Sequence, residues 1–153
     1  MTDNEKRGFM LSALSLAREA YDDGEVPIGA VIVRNGQIIA TGRNRRERDK
    51  NAIYHAEIEA IDNACKKLGG WRLPGCSLFV TLEPCPMCAG AVINSRIENV
   101  FFGAYDRKSG SVGSLVNLFL LPYNHMPSFE GGIEAEKCSQ ILSDFFSDLR
   151  KIK

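Results

Sequence analysis

Two short clusters carry side chains whose types and spacing fit metal chemistry: His55-Ala56-Glu57 and Pro84-Cys85-Pro86-Met87-Cys88. One imidazole and two thiols are good zinc ligands, and three protein ligands leave the fourth tetrahedral position open to water. That is the arrangement of a catalytic zinc, with one Zn2+ expected per subunit. Glu57 is the only carboxylate tied to the cluster by spacing, which makes it the expected proton carrier.

His-x-Glu followed by Pro-Cys-x-x-Cys resembles the signature of zinc-dependent nucleobase deaminases. In such chemistry Glu57 takes a proton from water and hands it to a ring nitrogen and the leaving amine, with loss of ammonia. Duller readings explain less. A structural zinc needs a fourth protein ligand, and His125, Cys65, Cys76 and Cys138 offer no second close pair. A redox dithiol leaves His55 and Glu57 without a role. Glu83 is either a surface acid at a strand end or a partner holding the zinc loop.

These side chains need particular elements beneath them. Positions two apart do not share a helix face, so His55 and Glu57 serve one site only from the first turn of a helix, predicted over His55–Leu68 and stopped by Gly69-Gly70. Pro86 suits the first position of another helix, which makes Cys85 its N-cap and puts Cys88 one turn on. Both sulfurs then lie at the positive end of a helix, which favours thiolate. Ahead of these, helical spacing runs from Glu5 to Asp22, and Gly29–Val33 with Gln37–Thr41 form a hairpin about Asn35-Gly36. Leu78–Leu82 and Val100–Ala104 read as buried strands. A Gly- and Ser-rich loop follows from Asp106 to Ser114, then an apolar run to Leu121, a loop holding Asn124 and His125, and a last helix from about Glu134 to Lys151. Strands alternate with helices, which predicts one α/β layered domain, residues 1–153, built on a mixed sheet.

The chain of 153 residues has 19 basic and 19 acidic side chains, so no global field draws in a polyanion and any nucleic-acid site must be local. The stretch Arg43, Asn44, Arg45, Arg46, Glu47, Arg48, Asp49 and Lys50 reads as a solvated loop or as a phosphate-binding edge. An odd cysteine count, an N-terminus without a signal-type apolar run and no uninterrupted apolar span of about 18 residues point to a cytoplasmic protein with no membrane partner. Read from the residues alone, Asn44 and Asn124 are loop asparagines, Phe145-Phe146 is core packing and Arg150-Lys151 is a solvated tail.

Further segments sharpen the picture: Val26-Pro27-Ile28-Gly29-Ala30-Val31, Gly42-Arg43-Asn44, Val80 to Ala91, Asn94-Ser95-Arg96-Ile97, Gly103-Ala104-Tyr105-Asp106, Asn124-His125 and Leu142 to Phe146. Together with the zinc motifs they make the chain similar to the bacterial tRNA-specific adenosine deaminases of the cytidine-deaminase-like superfamily, from about Phe9 to Arg150. The resemblance implies a three-layer α/β/α sandwich with a central mixed five-stranded sheet, and a homodimer. It implies conversion of adenosine to inosine at the first, wobble, anticodon position of tRNA, chiefly an arginine tRNA, with the anticodon stem-loop as partner. It also implies His55, Cys85 and Cys88 on zinc and Glu57 as the catalytic proton shuttle. Asn44, Asp106, Asn124, Val26, Leu82 and Phe146 are implied at the substrate, and Arg43, Arg45, Arg46, Lys108 and Arg150 at the RNA backbone. The chain departs from the family at Ala52-Ile53-Tyr54, at Tyr105 and at Tyr123 and Met126.

Two other functions compete. The same zinc site would serve a deaminase of a free base or nucleoside such as guanine or cytosine, and a catalytically silent zinc protein would only bind RNA or a partner.

Overall fold

The computed structural model describes residues 1–152. Helix α1 covers Asp3–Asp22 and starts earlier than its apolar periodicity suggests, because Thr2 and Glu5 close a reciprocal capping box. Strands β1 (Gly29–Arg34) and β2 (Gln37–Arg43) pair antiparallel across Asn35 and Gly36, whose φ values of 52° and 74° are those a two-residue turn requires. A four-residue helix α2 (Arg46–Asp49) lies inside the basic stretch. Next come α3 (Ala56–Leu68), β3 (Cys76–Leu82), α4 (Pro86–Ser95) and β4 (Asn99–Ala104). The chain closes with a short strand β5 (Ser128–Glu130) and helix α5 (Ala135–Ile152).

The sheet has five strands in the order β2-β1-β3-β4-β5. β1 runs antiparallel to both β2 and β3, whereas β3–β4 and β4–β5 are parallel, so the sheet is mixed. Alternate residues of the central strands feed two cores. Ile32, Leu78, Val80 and Val100 meet Ala56, Ala60 and Ala64 of α3 and Val92 of α4 on one face. Val31, Val33 and Phe79 meet Met10 and Ala13 of α1 and Cys138 of α5 on the other. The result is the three-layer α/β/α arrangement, with its core on both sides of β1 and β3.

Alanines on α1 and α3 let the helices lie close to the sheet, and the sheet answers with glycines. A Cβ on Gly29 would stand 2.0 Å from the Ala13 carbonyl oxygen, and one on Gly42 would stand 2.2 Å from that of Ala56. The second contact sets the height of the first turn of α3 above β2. The apolar run 115–121 forms no long helix; only Leu118–Leu120 makes a 3-10 turn, with Phe119 buried and Leu115 and Leu120 exposed.

Candidate active site

His55 and Cys85 occupy equivalent places: each is the N-cap of a helix, in extended backbone with φ and ψ of −77° and 160° for His55 and −75° and 174° for Cys85. Neither side chain caps its own helix, so imidazole and thiol are free to face one another. Pro86 starts α4 without an unsatisfied N–H, and Cys88 follows one turn on. Two helix N-termini thus converge on one point. His55 Nδ1 lies 3.6 Å from Cys85 Sγ and 3.5 Å from Cys88 Sγ, and the three ligand atoms fall within 4.8 Å of one another.

Those separations can be tested against zinc. Zn–N and Zn–S bonds of about 2.05 and 2.3 Å at a tetrahedral angle put nitrogen and sulfur about 3.6 Å apart, which is the spacing found. The donor set therefore fits the ion in chemistry and in geometry. Among the described residues no fourth side chain joins the three. His125 is committed elsewhere, with Nε2 at 2.6 Å from the Ile97 carbonyl, and Cys76 and Cys138 are buried in the two cores. The fourth position is left to something other than protein.

The two sulfurs differ, although helix position alone predicts thiolate for both. Hydrogen bonding from Cys88, with a further one from His55, holds Cys85 down at about 4 against the opposing effect of burial. The Cys88 thiol, sharing its proton with Cys85 and more deeply buried, is pushed up. A coordinating metal removes that remaining proton outright. Glu57 is 4% exposed, and burial raises its carboxyl to about 7. A carboxyl poised near neutrality can both accept and return a proton.

His55, Glu57 and Cys85 line a cavity of about 500 Å³, with Cys88 fully buried behind them. Val26, Asn44, Leu82, Asp106 and Phe146 line it as expected of substrate-facing residues, and Arg46 and Lys108 stand at its edge. Ile28, Tyr105, Arg107, Ser109 and Leu142 line it too and were not singled out for this from sequence. Asn44 is 3% exposed and held in place, donating Nδ2 to the Val26 carbonyl at 3.3 Å and accepting from the Arg46 amide at 3.4 Å. Asp106 stiffens its own turn, accepting from the amides of Lys108 and Ser109 at 3.0 and 3.2 Å.

Four sequence expectations fall outside this wall. Arg43 is turned back onto Asp23 at 2.9 Å, and Arg45 onto the buried Glu59 at 2.5 Å. Both guanidinium groups are engaged in holding the chain together. Asn124 is exposed in the loop before β5 and does not reach the cavity. Arg150, one turn beyond Phe146 on α5, is exposed and also lies off the wall. The basic stretch is therefore neither a plain solvated loop nor a continuous phosphate edge. Glu25, 2% exposed, accepts from the amides of Glu47 and Arg48 at 3.1 and 2.6 Å and so anchors α2. No local pattern marks Glu25, because its partners lie more than twenty positions away.

Comparison with known proteins agrees with the geometry. Residues 4–150 match the MafB19-like deaminase family. The chain is 52% identical over 154 residues to the tRNA-specific adenosine deaminase of Bacillus subtilis (strain 168), covering 100% of this chain and 94% of that one. It belongs to the tRNA-specific adenosine deaminase family. A solved structure from work on A-to-I editing by tRNA:A34 deaminases at the wobble position superposes with a TM-score of 0.85 at 45% identity, covering 88% of this deaminase and 99% of that chain. The guanine deaminase of Nitrosomonas europaea superposes at 0.76 with 26% identity, covering 91% and 83%. The fold thus serves enzymes acting on polymer and on free base alike.

Proposed function

We propose that this deaminase converts adenosine to inosine at the first anticodon position of a tRNA, chiefly an arginine tRNA, in the cytoplasm. The observation that carries the proposal is the grouping of His55, Cys85 and Cys88 beside a cavity that His55, Cys85 and buried Glu57 line together with Arg46, Arg107 and Lys108. His55, Cys85 and Cys88 would hold one zinc ion per subunit, which supplies Lewis acidity and lowers the pKa of water from 15.7 towards about 7. Asn44, locked by Val26 and Arg46, presents its amide to the nucleoside. Leu82 and Val26 give the base an apolar enclosure, and Phe146 an aromatic edge. Glu57 takes a proton from the water that attacks C6 and passes it to N1. Glu57 then takes the second proton from the new C6 hydroxyl and gives it to the amine; the C6–N bond breaks, ammonia leaves, and the C6 carbonyl of inosine remains.

An anticodon loop suits such a cavity, because its unstacked bases can be enclosed at low cost. The whole chain, residues 1–153, acts as one deaminase domain. Leu115, Leu120, Tyr123 and Met126, between 51% and 64% exposed, put an apolar surface on a single segment, which supports association with a second copy. Sedimentation at micromolar concentration should show a dimer. Among the described residues no helix is long and apolar enough to cross a membrane.

The deciding experiment follows inosine by sequencing in an arginine tRNA with adenosine at the first anticodon position, beside ammonia release from free adenosine, guanine and cytosine. Inosine at that position with little free-base turnover is expected. Efficient guanine turnover without inosine would move the enzyme to the free-base branch that the Nitrosomonas likeness represents. No turnover of any substrate would leave only a zinc-binding module.

A further inference from the structure

Glu83 follows β3 directly and precedes Pro84-Cys85, and only 2% of it is exposed. A carboxylate so far out of water is tolerated only where donors surround it. Here Oε1 accepts from the Asp106 amide at 3.1 Å and the Ser114 hydroxyl at 2.5 Å. Oε2 accepts from the amides of Val112 and Ser114, each at 3.0 Å. Every donor belongs to the loop that leaves β4, and that loop gives the cavity Tyr105, Asp106, Arg107, Lys108 and Ser109. The main chain closes the same joint: the Glu83 amide donates to the Ala104 carbonyl at 2.8 Å, and the Ser111 amide to that of Pro84 at 2.9 Å. Gly110 lies so close that a Cβ there would stand 2.4 Å from the Glu83 carboxylate carbon.

We propose that Glu83 is a positioning residue that sets the Tyr105–Ser109 wall at a fixed place relative to Cys85, and so registers the RNA backbone against the base being deaminated. The proposal rests on the RNA reading above. The turn 106–109 is stiffened internally by the Asp106 carboxylate, so it moves as a unit. What Glu83 determines is where that unit sits. Arg107 and Lys108 ride on it, exposed and without an ion pair among the described residues. Neither Glu57 nor any of the three proposed metal-ligand side chains donates to the Glu83 carboxylate, whose donors are Asp106, Val112 and Ser114. Loss of Glu83 should therefore weaken substrate capture and spare the chemical step.

Two variants approach the joint from opposite sides. Glu83→Gln keeps the shape but turns one acceptor into a donor facing amide N–H groups. Gly110→Ala leaves the carboxylate intact and puts a Cβ 2.4 Å from both the Glu83 carboxylate carbon and the Asp106 carbonyl oxygen, so the turn must shift away from the joint. The zinc-loaded enzyme is assayed on an anticodon stem-loop RNA with adenosine at the first anticodon position, with metal analysis and amide hydrogen exchange alongside. Both variants should raise KM by about tenfold or more, keep kcat within about threefold, retain zinc, and speed exchange at the amides of Asp106, Val112 and Ser114. A KM within about twofold of wild type, or unchanged exchange, would overturn the proposal. Loss of zinc would overturn it too, making Glu83 a support for the metal loop instead. If wild-type enzyme forms no inosine, the RNA reading fails, while exchange and metal content still decide the positioning role.

Discussion

Replacing Gly42 by alanine tests how the fold sets the catalytic geometry. The added Cβ would stand 2.2 Å from the Ala56 carbonyl oxygen and 2.6 Å from the Ala60 nitrogen, both main-chain atoms with no rotamer to yield. A carbon needs about 3.3 Å from a carbonyl oxygen, so the start of α3 must retreat by about 1 Å. Ala56 stands between His55 and Glu57, so the retreat carries the proposed metal ligand and the proposed proton carrier away from Cys85 and Cys88, which lie at the start of α4. A misplacement of about 1 Å costs about a hundredfold in rate, and the overpacking itself costs about 1–3 kcal/mol of stability. Gly29→Ala is the control. Its Cβ would stand 2.0 Å from the Ala13 carbonyl oxygen, an equal intrusion but into α1 on the opposite face of the sheet. Urea unfolding should show similar losses for the two variants, whereas kcat/KM for inosine formation should fall about a hundredfold for Gly42→Ala and less than tenfold for Gly29→Ala. If Gly42→Ala loses stability yet keeps kcat/KM within about threefold, the first turn of α3 is not held by its contact with β2 and the reasoning is wrong.

Glu57→Gln should lower kcat by about 10²- to 10⁴-fold while zinc content stays at one per chain, and full turnover in that variant would remove Glu57 from the proton path. His55→Ala or Cys85→Ala should bring zinc, measured by atomic absorption, well below one per chain; undiminished metal would refute those ligands. Arg45→Ala removes the ion-pair partner of Glu59, a carboxylate 8% exposed that then keeps only the Arg43 amide at 3.4 Å, and should cost about 1–3 kcal/mol in urea unfolding with little change in KM for RNA. The reverse pattern would put Arg45 on the RNA. With Arg46, Arg107 and Lys108 as the free cations at the cavity edge, the logarithm of RNA affinity should fall with that of salt at a slope of about −2. A slope near −5 would mean that other arginines are recruited.

The His55, Cys85 and Cys88 group, which could hold a metal ion, was legible because each of its parts is local in sequence. His55 with Glu57, and Cys85 with Cys88, are each placed by a single helix start, and Pro86 announces one of those starts. The four longer strands showed as apolar or alternating runs, whereas Ser128–Glu130 is short and exposed throughout and carries no periodicity to read. Helix α2 escaped notice for the same reason, being four charged residues inside a charged stretch. The wall of the cavity was harder. Glu83 binds amides 23 to 31 positions away, and Arg45 meets Glu59 across 14. Composition groups Arg43, Arg45 and Arg46 as one basic edge; only the fold shows that two of them face acids and one faces the cavity.

That partition also explains how a chain of zero formal charge can present a site to a polyanion. Several acids around the basic stretch and the cavity wall are turned inward: Glu25 and Glu83 are both 2% exposed and spread their charge over backbone amides, Glu59 neutralises Arg45, and Asp106, half-buried in the wall, accepts from the amides of Lys108 and Ser109. The cations that line the cavity, Arg46, Arg107 and Lys108, are exposed and make no ion pair among the described residues. A phosphate approaching from solvent meets exposed cations at the cavity, where a Debye length of about 8 Å still lets them act, while the charge of the acids is already taken up by amides and Arg45. Net charge measures the whole surface and misses this separation of sign with depth. Reversing it locally, without changing the net charge, would be enough to lose the RNA, which is why the placement of a few carboxylates governs capture as much as the number of arginines does.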